Sequence, residues 1–437
     1  MNSRWKLIFP TSQHIIQVNM TFFKTRSKSE ELSALLIFLV LSLLLITKNF
    51  SVGVIAIALL WSLINIVKIK KRIFFDKIDI LVIACLCAYL ISNLPLFISE
   101  NWNFRYFKGA SRIVLCIPIY LYFKYYISTQ KLYLSPMIWG TILGSLGAFL
   151  IACYQFFIEG RPRVDGFLFS INFGYLACSL AVLSIALMKV KKHRSLLIVS
   201  LIFASSATLM TLTRGAIVAI PVAVCMYSIF EYKKIGLRKI LVVTAACLST
   251  LLVIYNNSPA FQDRVSFTVQ ETNSVLGGNI SSSESAGGRL MLWRASIEAL
   301  KLSPIIGLTY AEREDLNKEL YEKGIINDWT ANVKRGHAHS QYFEQIASGG
   351  ILGIVALCFM LIVPLLYFFH YRRKSNAAYV GTFFVLSISI CCLTEVALQQ
   401  NLISTFYGFM LALLFAVTQQ EVKEYNEVNN GQLCSKG

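Results

Sequence analysis

Apolar residues recur along this chain in runs of roughly 16 to 24 positions, long enough to cross a hydrocarbon core about 30 Å thick. Taken in order, they predict spans near 32–47, 50–67, 79–98, 112–127, 134–157, 167–188, 195–212, 215–230, 238–255, 345–369, 376–395 and 401–418. The expected fold is an all-α polytopic membrane protein with twelve transmembrane helices. Short polar segments separate most spans, and only residues 256–344 form a long one. The expected organisation is a tail over 1–31, nine helices within 32–255, the long loop 256–344, three helices within 345–418, and a second tail over 419–437.

Inside the long loop the pattern changes. "NSVLGGNISSSESAGG" at 273–288 is rich in Gly and Ser and reads as a flexible loop. "RLMLWRASIEALKLSP" follows, with Leu290, Trp293, Ile297 and Leu300 on one helical face, which predicts an amphipathic helix starting near Arg289. "EREDLNKELYEKG" at 312–324 is charged throughout and ends in Gly, as a solvated helix does.

Composition agrees with the pattern, since 56% of the 437 residues are hydrophobic and 15% charged. The net charge of +18 suggests nucleic acid until its distribution is considered. Of the 41 Lys and Arg, 25 fall in the tails and in loops alternating to one side, 7 in short loops on the other side, and 9 in residues 256–344. This is a positive-inside bias. It predicts that both termini are cytoplasmic and the long loop is external, and it leaves no role for nucleic acid. The first 31 residues are basic but lack the apolar core and small-residue cleavage site of a signal peptide. Ten of the eleven cysteines lie in expected spans and none in the long loop, so neither a disulfide framework nor a cysteine metal site is expected there.

The stretch "RGHAHSQYFEQIASGGILG" at 335–353 carries candidate chemistry into a membrane helix. If that helix starts near residue 338, then at about 100° per residue His339, Phe343, Ile346, Gly350 and Gly353 share one stripe. The two glycines would admit a neighbouring helix. His339 would sit in the first turn, where the helix dipole favours an anion and a neutral imidazole, and so suits a proton acceptor; the plainer alternative is a cap or an interfacial packing residue. His337 would face elsewhere, and no Cys or carboxylate at a suitable spacing completes a metal site with it. The long loop also lacks an Asp-x-Asp pair, which favours metal-independent chemistry.

Arg214, in "TLTRGAIVAIP" at 211–221, occupies a tight outer turn. A charge drawn to the membrane centre costs about 2.5–3.5 kcal/mol, so this arginine either faces an internal cavity or snorkels to the interface. Arg289 opens the amphipathic helix, and its planar fork suits a phosphate-bearing lipid. Arg105, Lys108, Arg112, Arg161 and Arg163 also lie on outer loops against the charge bias, which a membrane-bound anionic substrate would explain and a generic membrane interface would explain in large part.

On these residues the chain resembles the O-antigen ligase and polymerase family of bacterial inner-membrane glycosyltransferases. The family signature is His, then Asn, Ser or Gln, nine residues, and Gly-x-x-Gly. Here it reads His339-Ser340, Gln341 to Gly349, then Gly350-Ile351-Leu352-Gly353. Arg214 in "TRG", Arg289 ahead of "LMLW" and the single large loop before the signature also correspond. The first twenty residues have no counterpart, which fits either a start at Met20 or a tail of no importance.

The resemblance implies a GT-C type fold and a transfer needing no cofactor or metal. A glycan on undecaprenyl diphosphate would move to a hydroxyl of lipid A-core on the periplasmic side, with membrane lipids around the protein. Arg214 and Arg289 would bind the diphosphate, with Arg163, Arg105 and His337 as further substrate contacts. His339 would take the acceptor proton, and attack opposite the diphosphate would invert the anomeric centre. An O-antigen polymerase or a protein O-oligosaccharyltransferase would use the same residues. A transporter also fits the span count, though repeats and mid-membrane charges are missing.

Overall fold

The computed structural model describes residues 28–69, 75–127, 130–191, 193–236, 252–253, 255–277 and 286–434, with isolated positions 238, 245 and 249. Among them there is no strand. The helices are α1 (Lys28–Ser42), α2 (Phe50–Ile69), α3 (Lys77–Ser99), α4 (Lys108–Val114), α5 (Ile117–Tyr126), α6 (Gln130–Cys153), α7 (Ser170–Leu187), α8 (Arg194–Met210) and α9 (Arg214–Ile235). The long loop contributes α10 (Pro259–Leu276), α11 (Ala286–Leu302), α12 (Tyr310–Glu322) and α13 (Asp328–Ala331). The chain ends with α14 (Gln341–Leu357), α15 (Val363–Tyr371), α16 (Asn376–Thr394) and α17 (Asn401–Cys434).

Eight helical segments among the described residues are long and apolar enough to cross a membrane: α2, α3, α6, α7, α9, the kinked α14–α15 segment, α16 and α17. Of the other expected spans, 195–212 is the 17-residue α8, and 32–47 is the 15-residue α1 followed by a turn. The span near 112–127 is broken at Leu115–Cys116 between α4 and α5. The span near 238–255 lies largely outside the described residues. Helices α7 and α17 are buried along nearly their whole apolar length and form the centre of the bundle, as helices apolar on every face do. Peripheral α2 instead exposes Ile57, Leu60, Ile64 and Val67.

Polar clusters gather at one end of the bundle. Buried Asp79 pairs with Lys124 Nζ at 2.6 Å and accepts from Tyr120, while Glu421 accepts from Tyr133 and Ser375, each at 2.5 Å. The histidine and arginine segments sit at the opposite ends of the same helices.

Two sequence expectations change here. The face of α11 that packs is Met291, Leu292, Ala295 and Ala299, whereas Ile297 is exposed. Helix α12 is not solvated all round: a capping box of Thr309 and Glu312 starts it, and Arg313, Leu316, Asn317 and Leu320 are buried. Together with Ile326, Ala331 and Ala347, these helices build a small core of their own seated on α14.

The glycine stripe also reads differently. Gly350 has φ +54° and ψ −135°, so α14 breaks there and the helical stripe does not run through it. The break exposes donors that the loop before α12 satisfies: Ile351 N–H donates to Pro304 O at 2.8 Å and Leu352 N–H to Ile305 O at 3.3 Å. A Cβ on Gly353 would lie 1.9 Å from Gln345 O. The two signature glycines thus let the helix fold closely on residues 304–305 at Gly350 and on itself at Gly353, where these supply the nearest atoms among the described residues.

A backbone held at such a φ costs a non-glycine residue about 1–3 kcal/mol, and a Cβ at Gly350 would also meet Pro304 O at 2.5 Å. Gly350→Ala should therefore lower thermal stability in detergent and speed proteolysis of residues 256–344. Gly349→Ala, whose Cβ would meet nothing closer than Ser92 Cβ at 4.0 Å, should leave both unchanged.

Candidate active site

The segment before α14 is a shaped loop. A 3-10 turn over Lys334–Gly336 places Arg335 at φ +63° and Gly336 at φ +58°; the chain then extends through His337, and His339 adopts φ +46°. Ser340 is the N-cap and the helix begins at Gln341. His339 therefore stands ahead of the helix, contrary to the expectation that it occupies the first turn.

A buried ion pair holds this loop. Arg313 Nη1 and Nη2 donate to Glu344 Oε1 and Oε2 at 2.8 and 3.0 Å, and the two side chains are 3% and 1% exposed. The pair then straps the loop on both sides of His337: Arg313 also donates to Gly336 O, and Ala338 N–H donates to Glu344 Oε2 at 2.9 Å. Trp293 Nε1–H holds Ala338 O at 3.1 Å. Burial opposes charge on Arg313, but Glu344 more than offsets it and raises the Arg313 pKa above its ordinary value.

The group that sequence reasoning missed is Glu395, in the turn after α16. Its Oε2 lies 3.2 Å from His339 Nδ1 and its Oε1 lies 3.5 Å from His337 Nε2. Fifty-six residues separate Glu395 from His339, and no motif ties them. The two imidazoles, expected on different faces, meet edge to face with centroids 4.6 Å apart. Burial raises the Glu395 pKa, but the two histidines and the Val396 N–H outweigh it and hold the carboxyl below its usual range. Burial, chiefly, lowers the His337 pKa, so that residue is neutral where a free histidine titrates.

Hydrogen bonds assign the tautomers. His337 Nδ1 accepts from the His339 backbone N–H at 3.4 Å, so its proton sits on Nε2, toward Glu395. His339 Nδ1–H donates to Glu395, which leaves its Nε2 with a lone pair and no hydrogen bond among the described residues. His339 is thereby the available proton acceptor, on grounds that differ from the helical stripe.

Three of the arginines singled out in the sequence converge nearby. Arg163, Arg214 and Arg289 line one cavity of about 290 Å³ together with Tyr175, Thr213, Gly215 and Thr394. Gly215 makes this possible: a Cβ there would lie 2.1 Å from Thr394 Oγ1, so only glycine lets the start of α9 meet the end of α16, next to Glu395. Gly288 likewise lies against the Trp329 ring, and Trp329 stacks over His339 with centroids 6.4 Å apart, which brings the start of α11 and Arg289 beside the histidines. Arg163 donates to Thr211 O at 2.8 Å, and Arg214 pairs with Glu271 at 3.2 Å. Burial first, then the Arg214 charge, lowers the Arg163 pKa, a sign of crowded positive charge. Arg105 does not join this group; it lines a second cavity of about 660 Å³.

The ligand atoms of His337, His339 and Glu395 lie within 4.8 Å of one another, a spacing able to hold a metal ion. The third ligand that the sequence did not reveal is thus supplied by the fold.

Comparison with known proteins agrees with this geometry. An uncharacterized protein of Haemophilus influenzae (strain ATCC 51907 / DSM 11121 / KW20 / Rd) is 26% identical over 346 residues, which cover 77% of this chain and 84% of that protein. A family described as O-antigen ligase matches residues 198–358, a stretch that contains Arg214, Arg289, His337, His339 and both signature glycines. That match, over residues 198–358, supports membership of the O-antigen ligase family and an activity of the ligase or polymerase type in lipopolysaccharide biosynthesis.

Proposed function

We propose that the protein is an inverting, metal-independent glycosyltransferase that moves a glycan from undecaprenyl diphosphate to a hydroxyl of lipid A-core. The observation that carries this reading is the three-arginine cavity whose wall at Thr394 adjoins Glu395, the carboxylate that orients His339. We place the site at the periplasmic face of the inner membrane, in a twelve-span topology with both termini cytoplasmic and residues 256–344 outside; the distribution of Lys and Arg supports that orientation.

The reaction distributes over these groups. The acceptor oxygen forms a bond to the anomeric carbon while the bond from that carbon to the diphosphate oxygen breaks, and the electron pair leaves with the diphosphate. Arg163, Arg214 and Arg289 receive the developing charge, as fixed donors in a partly dry site do most effectively. The acceptor proton passes to His339 Nε2, and Glu395 stabilises the resulting imidazolium. Attack from the face opposite the diphosphate inverts the anomeric centre.

One observation favours a second reading, in which the His337, His339 and Glu395 cluster binds a divalent cation. The two differ in a simple assay of transfer from purified lipid-linked glycan to lipid A-core. EDTA should leave the rate unchanged; loss restored by zinc or manganese would establish the second reading instead.

In the same assay His339→Ala should lower the rate by about 10²- to 10⁴-fold, the usual contribution of a general base, and His337→Asn should cost at least about tenfold less. Transfer at the normal rate by His339→Ala would remove the mechanism. Glu395→Gln should lower the rate by about 10²-fold, within the same range. An unchanged rate in Glu395→Gln would show that Glu395 does not act through the histidine.

A further inference from the structure

The second cavity has no part in the chemistry above, yet it is the larger of the two, at about 660 Å³. Its walls come from five places in the chain: Tyr89 of α3, the turn and helix start carrying Arg105, Tyr106, Lys108 and Gly109, Tyr310 of α12, Arg335 of the histidine loop, and Gln399 to Asn401 after Glu395. Close packing holds these walls together. A Cβ on Gly109 would lie 2.1 Å from Leu398 O, so glycine is what lets the Arg105 segment meet the turn that follows Glu395. Tyr106 and Tyr310 stack face to face with centroids 4.4 Å apart, and Tyr310 N–H donates to Tyr106 Oη at 3.0 Å.

The charge of this cavity is one-sided. None of Arg105, Lys108 and Arg335 forms a side-chain ion pair among the described residues. Among the described residues no carboxylate lines the cavity; of those nearby, Glu344 pairs with Arg313, Glu100 accepts from the Asn103 side chain at 2.9 Å, and Glu314 accepts from the Arg335 backbone N–H. The remaining lining is phenol and carboxamide, the groups that hydrogen-bond sugar hydroxyls.

Position connects this cavity to the reaction. The two cavities stand on either side of one turn, with Thr394 in the first and Gln399, Gln400 and Asn401 in the second, and Glu395 lies between them in the chain. Asn172, beside Ile171 of the first cavity, donates to Gln400 Oε1 of the second at 3.2 Å. Arg335 precedes His339 by four residues on the same strapped loop.

We propose that the second cavity binds the acceptor saccharide and selects one bearing a phosphate, with Arg105, Lys108 and Arg335 meeting the phosphate and Tyr89, Gln399, Gln400 and Asn401 meeting hydroxyls. It rests on the transferase reading above and separates the acceptor from the donor diphosphate, which the three-arginine cavity holds. A phosphorylated acceptor would gain a charge-assisted contact from each cation it reaches, and the strained loop would set the distance from its hydroxyl to His339.

The test uses full-length protein in detergent, with lipid-linked glycan as donor and lipid A-core, intact or chemically dephosphorylated, as acceptor. Arg335→Gln and, on a separate element, Arg105→Gln should each raise the acceptor KM about tenfold or more, the usual worth of a charged hydrogen bond, and leave the donor KM unchanged. Dephosphorylation should raise the wild-type acceptor KM similarly and abolish the difference between wild type and variants. Arg335→Lys should recover part of the loss. A rise in donor KM, an equal variant defect on the dephosphorylated acceptor, or an unchanged KM throughout would each overturn the assignment. Repeating the assay in phosphatidylcholine vesicles with and without phosphatidylglycerol separates out a lipid headgroup site: a variant defect that appears only with the anionic lipid would also overturn it. Absence of transfer by the wild-type protein to any acceptor would remove the transferase reading itself, and this inference with it.

Discussion

The buried pairing of Arg313 with Glu344 is the contact on which the rest of the histidine end of the bundle depends. It joins a helix of the long loop to the first turn of a membrane helix, and it spends its remaining donor and acceptor capacity on the backbone of the histidine segment. Two charges removed from water carry a penalty of several kcal/mol each, which only good geometry and additional hydrogen bonds recover. Both conditions hold here. Removing one partner of such a pair typically costs about 3–5 kcal/mol, so the loop is fixed by an interaction that tolerates little change. The non-helical φ values at Arg335 and His339 are sustained by this anchoring.

A second constraint is the turn after α16. Residues 394–401 contribute to both cavities and present Glu395 to the histidines, so one short stretch registers the charged groups of four distant segments. The close approaches at Gly109 and Gly215 bring neighbouring helices against either end of it. Small residues in these places serve proximity, which membrane helices obtain from van der Waals packing because lipid is as apolar as their own side chains.

Much of this was legible in the sequence. Hydropathy placed eight apolar helices to within a few residues, except at the end of α17, which continues to Cys434 where a tail from 419 was expected, because a membrane imposes length and apolarity together. The signature spacing pointed to His339, and the arginines at 163, 214 and 289 do share a cavity. Periodicity failed at Gly350, where a left-handed backbone angle breaks the helix; a glycine in sequence does not disclose whether it is used for close packing or for its torsion. It failed again at α11, where Met291, Leu292, Ala295 and Ala299 face the core and Ile297 does not. Glu395 was invisible for a different reason: at the end of an apolar run it resembles an interfacial carboxylate, and only tertiary contact joins it to the histidines.

The break at Gly350 carries a consequence for how the chain is made. Ile351 and Leu352 complete their hydrogen bonding on carbonyls of Pro304 and Ile305, which lie between α11 and α12 and precede them in the chain. During synthesis the receiving carbonyls therefore emerge before the donors that need them. Full insertion of the signature helix is then coupled to the state of a segment that has already left the ribosome, and an unfolded loop would leave two amide groups unsatisfied near lipid. Insertion of this helix and folding of the segment around Pro304 and Ile305 are thus linked through these two hydrogen bonds.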